Sequence, residues 1–194
     1  MQPLDKFFWN NCYINNTTQW DLGTVSPPIK SYIDQLANKD LSILIPGCGN
    51  AYEAEYLLSK GFTNITLIDI AKDLVIKLQL KFQDYTNIKI IEDDFFNHQG
   101  KYNLILEQTF LCALNKNLRP QYAKKMSDLL VENGKLVGVL FNKEFETEGP
   151  PFGGSIEEYR NNFQYYFHFK VFETCFNSFS KRENSELFII FQKK

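Results

Sequence analysis

The stretch from Leu41 to Ile70 reads L-S-I-L-I-P-G-C-G-N-A-Y-E-A-E-Y-L-L-S-K-G-F-T-N-I-T-L-I-D-I. The apolar run Leu41 to Ile45 predicts a strand that empties into Gly47-Cys48-Gly49. A helix over about 51–59 follows, then a second strand over 64–68 that ends on Asp69. Strand, glycine turn, helix, strand and terminal acid are the opening β-α-β of a nucleotide-binding α/β domain. Glycine lets backbone N–H groups approach a ligand because no Cβ stands in the way. The Asp69 carboxylate can accept both hydroxyls of a ribose, so a ligand containing adenosine is the first expectation.

What this pattern lacks narrows the ligand. A dinucleotide fingerprint wants a third small residue in G-x-G-x-x-G/A, and here that place is Tyr52, with Glu53 next. A carboxylate at a helix start repels a pyrophosphate but pairs with an ammonium. S-adenosylmethionine, with an ammonium and a sulfonium and no phosphate, fits better than NAD. A tight strand–helix turn with no nucleotide is the alternative that the motif alone leaves open.

The chain has 194 residues, of which 44% are hydrophobic and 15% aromatic, enough for one domain over 1–194 with a sizeable core. Net charge is −2, so no electrostatic footprint for nucleic acid or an anionic membrane surface is present. No apolar run approaches the roughly 20 residues of a membrane helix. The N-terminus, M-Q-P-L-D-K-F-F-W, carries no signal-peptide pattern. Cys12, Cys48, Cys112 and Cys175 show no C-x-x-C spacing and read as small apolar residues of a reducing cytoplasm. With only His98 and His168, no metal site is expected. The expected partner is a small-molecule substrate, with no nucleic acid and no membrane, and the expected state is a monomer.

Outside the opening stretch, residues 1–27 form an aromatic, Asn-rich lead-in of weak periodicity that holds both tryptophans, Trp9 and Trp20. Pro27-Pro28 suits the first turn of a helix running to about Ala37. Helices are predicted over about 72–83, 119–131 and 155–163, and strands over 88–91, 102–106 and 134–141. Phe167 to Cys175 and Glu186 to Phe191 read as a terminal hairpin. This alternation predicts a mainly parallel, seven-stranded α/β sheet with helices on both faces and an antiparallel C-terminal hairpin, the Rossmann-like class I methyltransferase architecture. Ligands of such sheets bind beyond the C-terminal strand ends. Gly47–Gly49, Asp69, Asp93-Asp94 and Glu107-Gln108 all fall there.

Each of these residues has a chemical reading and a plain one. An Asp93 or Asp94 carboxylate can accept an adenine amino group while Phe95 covers the base; the plain reading is a solvated or capping acid. Glu107 is expected to face the point of methyl transfer, or else to bond a neighbouring backbone N–H. The tryptophans can wall a sulfonium, which is attracted to aromatic faces, or merely anchor the lead-in. With three arginines in the chain, Arg119, Arg160 and Arg182 are candidates for bidentate anion binding, although an internal ion pair is the reading for Arg119. Tyr-x-x-x-Lys, a dehydrogenase-like spacing, occurs three times (Tyr56/Lys60, Tyr85/Lys89, Tyr166/Lys170) and carries no weight.

W-N-N-C-Y-I-N-N-T-T-Q-W-D-L-G (9–23), L-I-P-G-C-G-N-A-Y-E-A (44–54), D-D-F-F (93–96), L-E-Q-T-F-L-C-A-L (106–114), L-R-P-Q-Y-A-K-K-M (118–126), G-K-L-V-G-V-L-F (134–141) and G-P-P-F-G-G-S (149–155) together resemble the thiopurine S-methyltransferase family. The likeness is nearer to its thiol and halide branch than to its drug-metabolising one. The resemblance implies S-adenosylmethionine as methyl donor, and cofactor positions at Trp9, Tyr13, Trp20, Gly47, Gly49, Asp69, Asp93, Asp94, Phe95, Glu107 and Gln108. It implies a substrate side at Phe110, Phe152 and Arg182, a lid over 1–27, and acceptors that are thiols, hydrosulfide, thiocyanate or halides. No obligatory catalytic base is expected, because such nucleophiles arrive charged. Glu107-Gln108 stands where the drug-metabolising branch has Asp-Arg, which counts against thiopurines. The competing expectations are an O- or N-directed methyltransferase, an NAD-linked reductase and a non-catalytic nucleotide-binding module.

Overall fold

The computed structural model describes residues 3–146 and 148–194; Met1 and Gln2, which open the expected lid, and Thr147 lie outside the described residues. Its centre is a seven-stranded sheet in the order β3-β2-β1-β4-β5-β7-β6. The strands are β1 (Ile43–Pro46), β2 (Ile65–Asp69), β3 (Ile88–Glu92), β4 (Tyr102–Gln108), β5 (Leu130–Phe141), β6 (Phe167–Thr174) and β7 (Glu186–Lys193). β1 to β5 pair in parallel, and β7 runs antiparallel between β5 and β6.

Strand alternation divides the apolar residues between two cores. Ile43, Ile45, Leu104 and Leu106 enter one core, while Leu44 and Ile105 point to the other. The first core is covered by α2 (Pro27–Asp34), α3 (Tyr52–Ser59) and α4 (Lys72–Lys81), and the second by α5 (Arg119–Leu129) and α6 (Ile156–Phe163). Such short helices are marginal alone, so packing fixes them. Ile29 and Ile33 of α2 are fully buried, and each such side chain contributes about 1.5–3 kcal/mol. Ser155 caps α6 by accepting from the N–H of Glu158, and prolines occupy the first turn of α2.

Three elements depart from the sequence reading. β5 opens at Leu130, four residues before the expected Gly134 and inside the helix expected over 119–131, because the chain pairs with β4 directly after α5 ends at Leu129. The lead-in holds a helix, α1 (Lys6–Ile14), capped by Asp5 and packed on α4. β4 extends two residues past the expected end, so Glu107 and Gln108 lie inside the strand, not after it. The cause is continued pairing with β5, where Glu107 sits opposite Gly138. A Cβ on Gly138 would come within 2.2 Å of the Glu107 carbonyl oxygen, so only glycine allows that approach.

Candidate active site

A cavity of about 240 Å³ opens at the C-terminal ends of β1 to β4. Gly47, with φ +56°, turns the chain out of β1. A Cβ there would lie 2.3 Å from Cδ2 of Phe110, so the missing side chain lets that ring close the cavity against the turn. The Asp69 carboxylate braces the turn from β2, accepting from the N–H of Gly49 at 3.2 Å and of Ala71 at 3.0 Å. Burial raises the pKa of Asp69, while these backbone donors pull it down.

Further along the sheet, the chain leaving β3 folds Asp93 and Asp94 into successive side-chain caps. Asp93 accepts from the N–H of Asp94 at 2.8 Å, and Asp94 from that of Phe96 at 2.9 Å. Each cap uses one carboxylate oxygen, Oδ1. Phe95 packs edge-on to Phe110 at 5.1 Å, which joins the β3 and β4 sides of the cavity into one aromatic wall. After β4, Thr109 adopts φ +61° and swings Phe110, Cys112, Ala113 and Leu114 onto the cavity. Gln108 accepts from the Ser26 hydroxyl at 2.7 Å, but its buried Nε2 has no partner.

The roof comes from the N-terminal segment. α1 is tied to the start of α4 by a paired contact: Asn10 Nδ2 donates to Asp73 at 2.6 Å, and the Asp73 N–H donates to Asn10 Oδ1 at 2.8 Å. Trp20 meets Trp9 at 5.5 Å and Tyr13 at 6.0 Å, both edge-to-face, and all three line the cavity. Asp21 accepts from Asn50 Nδ2 and from the Tyr52 hydroxyl, which fastens the segment to the start of α3. Glu53, on the first turn of α3, is 6% exposed and lines the same end. Burial pushes its carboxyl up to about 7, against the pull of its own N–H and that of Ser26.

Of the residues expected from the sequence, Trp9, Tyr13, Trp20, Gly47, Gly49, Asp69, Asp93, Asp94, Phe95, Gln108 and Phe110 come together around this cavity. Three do not. Glu107 is fully buried behind the wall, where Oε1 accepts from the N–H groups of Phe110 (2.8 Å) and Leu111 (3.1 Å) and Oε2 from the Tyr122 hydroxyl. It shapes the loop instead of facing the cavity, because its longer strand turns the side chain into the second core. Phe152 is buried against Gly149, and its neighbours Pro150 and Pro151 reach the cavity in its place. Arg182 is occupied by the Trp20 carbonyl and Glu186. Arg119, fully buried, pairs with Glu158 at 2.6 Å and donates to the Gly153 carbonyl at 2.9 Å, the internal ion pair expected of it. Sequence reading passed over Asp21, whose signal was the turn D-L-G directly after Trp20, and Phe96, the second ring of D-D-F-F.

The lining carries five carboxylates (Asp21, Glu53, Asp69, Asp93, Asp94), and none of the described lining residues is Lys, Arg or His. This donor set suits a cationic ligand with a ribose and rejects a pyrophosphate. A sheet of this order with this site defines a class I methyltransferase fold. The chain belongs to the thiopurine S-methyltransferase family, whose family model matches residues 4–188. It is therefore a methyltransferase with S-adenosylmethionine as its methyl donor. It is 31% identical over 156 residues to probable thiol methyltransferase 2 of Arabidopsis thaliana, covering 78% of this chain and 69% of that one. Thiocyanate methyltransferase 1 of Brassica oleracea is 25% identical over 165 residues, covering 82% and 73%. Among solved structures, the 1,6-didemethyltoxoflavin N1-methyltransferase of Burkholderia thailandensis, with bound substrate and S-adenosylhomocysteine, superposes with a TM-score of 0.77. Its identity is 14%, covering 97% of this chain and 87% of that one. Among the described residues, no helix is long and apolar enough to cross a membrane.

Proposed function

We propose that the protein methylates small soft nucleophiles: thiols, hydrosulfide, thiocyanate and halides. The observation that carries this reading is the composition of the cavity on the β4 side. Phe110, Ala113, Leu114, Leu118, Pro150 and Pro151 wall it beside Gln108, Thr109 and Cys112, and every carboxylate of the lining belongs to the β2 and β3 ends, the roof or α3. Nothing there is suited to take a proton from a hard oxygen or nitrogen acid. A soft anion needs no such group, only alignment and a dry surround.

The donor supplies an activated methyl group on a sulfonium. Asp69 is assigned the ribose hydroxyls, Asp93 and Asp94 the adenine edge, and Phe95 the base face. Asp21 and Glu53 are assigned the ammonium, and Gln108 Nε2 one acceptor atom of the donor or its partner. Trp9, Tyr13 and Trp20 exclude water and offer ring faces to positive charge. Cys48 and Cys112 also line the cavity, and burial holds both thiols protonated, Cys112 with its pKa pushed up to about 12. A neutral thiol is a poor nucleophile, so the protein's own sulfur does not compete with the acceptor.

Initial rates with saturating donor and a series of thiols of graded acidity test this. The inflection in kcat/KM against pH should move with the acceptor's own pKa. An inflection that stays fixed as the acceptor changes would mean an enzyme-borne base and overturn the reading.

A further inference from the structure

Arg182 lies in the turn between β6 and β7, with a side chain only 11% exposed. Its Nη2 donates to the Trp20 carbonyl at 2.8 Å across 162 residues of sequence. Its Nη1 reaches Glu186 Oε1 at 3.4 Å, and the guanidinium carbon stands 5.4 Å from the centre of the Phe141 ring. Trp20 belongs to residues 15–26, a stretch with neither helix nor strand. Such a stretch has no ladder of its own to hold it in place. It is fastened by the bonds of Asp21 to Asn50 and Tyr52 at the start of α3, by that of Ser26 to Gln108 on β4, and from the β6–β7 turn by Arg182.

We propose that Arg182 is a positioning residue for the donor site: it holds the Trp20 peptide, and with it the aromatic roof, over the cavity and does not touch the acceptor. The proposal rests on the S-adenosylmethionine reading of that cavity. The two terminal nitrogens of Arg182 are engaged by the Trp20 carbonyl and Glu186, and the residue is not among those that line the cavity. Its charge nonetheless acts on the lining, pulling down the pKa of both Glu53 and Cys112 against the larger effect of burial. A guanidinium suits this task. Its planar fork serves a carbonyl and a carboxylate together while lying on a ring, which a single ammonium cannot do.

Removal of Arg182 alone would leave the Glu186 carboxylate, 3% exposed, without its ion-pair partner. The test therefore compares Arg182→Met combined with Glu186→Gln against Glu186→Gln alone. S-adenosylhomocysteine binding is read by calorimetry and the roof by tryptophan fluorescence, since Trp9 and Trp20 are the only tryptophans. Against the control, the double variant should bind S-adenosylhomocysteine about 10- to 100-fold more weakly, as for loss of one charge-assisted hydrogen bond. Its emission should be red-shifted before any ligand is added, and its acceptor KM at saturating donor should stay within about 3-fold. Arg182→Lys, which keeps one donor for the carbonyl, should recover part of the affinity. Unchanged S-adenosylhomocysteine affinity with a raised acceptor KM would make Arg182 an acceptor contact and overturn the proposal. Failure of the unaltered protein to bind S-adenosylhomocysteine would instead remove the cofactor reading on which it rests.

Discussion

Asp69 and Glu53 show how differently two acids of one site can be tuned. Asp69 accepts two backbone N–H bonds and keeps the glycine turn in shape. Asp69→Ala should raise the dissociation constant of S-adenosylhomocysteine about 10- to 150-fold, the value of a hydrogen bond to a charged acceptor. Calorimetry that finds the affinity unchanged would remove Asp69 from the donor site. Glu53, held near 7 by burial, must lose its proton before it can face an ammonium. Donor affinity should therefore fall as pH drops through about 7, and Glu53→Gln should flatten that dependence while weakening binding at higher pH. A slope that survives in the variant would assign it to another group. The residues legible in the sequence were those whose place follows from a strand end: Gly47, Asp69 and the Asp93-Asp94-Phe95 run. Glu107 was misplaced because its direction depends on pairing with Gly138, 31 positions later in sequence (138 − 107), and no local pattern carries that.

At the scale of elements, α1 carries the clearest lesson. Lys6–Ile14 buries no residue completely, so its apolar stripe is weak, and only Asp5 ahead of K-F-F announces a helix start. Its order comes from the pair Asn10–Asp73 and from Trp9 and Tyr13 packing onto the core under Trp20, which are tertiary facts. The strands and helices of the α/β core were legible because fully buried parallel strands read as continuous apolar runs. Deleting residues 1–20 should leave that sheet folded and abolish methyl transfer, because Trp9, Tyr13 and Trp20 leave with the segment. Circular dichroism and a transfer assay check both halves, and full activity in the truncated protein would reduce the tryptophans to anchors. Asn10→Ala should act more mildly, loosening α1 from α4 and raising protease sensitivity of the N-terminal segment, a change that S-adenosylhomocysteine should partly reverse. Protease sensitivity equal to that of the unaltered chain would show that the Asn10–Asp73 pair is not what holds α1.

Across the whole molecule, the buried acids couple stability to function in opposite directions. Glu53 and Glu107 are both pushed up to about 7 from an ordinary 4.5, chiefly by burial. Between those values the folded chain holds protons that the unfolded chain has released, so their contribution to stability is greatest below about 4.5 and declines as pH rises to about 7. Through these two groups the unliganded protein should melt at higher temperature near about pH 5.5 than near about pH 7.5, whereas the added stabilisation from S-adenosylhomocysteine should grow over the same interval. Parallel trends for the free and loaded protein would show that Glu53 does not meet the ligand's charge. The class of acceptor is read from a mostly apolar, base-free wall set beside a group of carboxylates, and it is tested most directly by methyl transfer itself. Labelled S-adenosylmethionine, offered with hydrosulfide, thiocyanate, iodide and small thiols alongside an alcohol and an amine, should pass its methyl group to the soft nucleophiles and leave the alcohol and amine untouched. Transfer to the alcohol or the amine, with none to any sulfur or halide acceptor, would contradict the account.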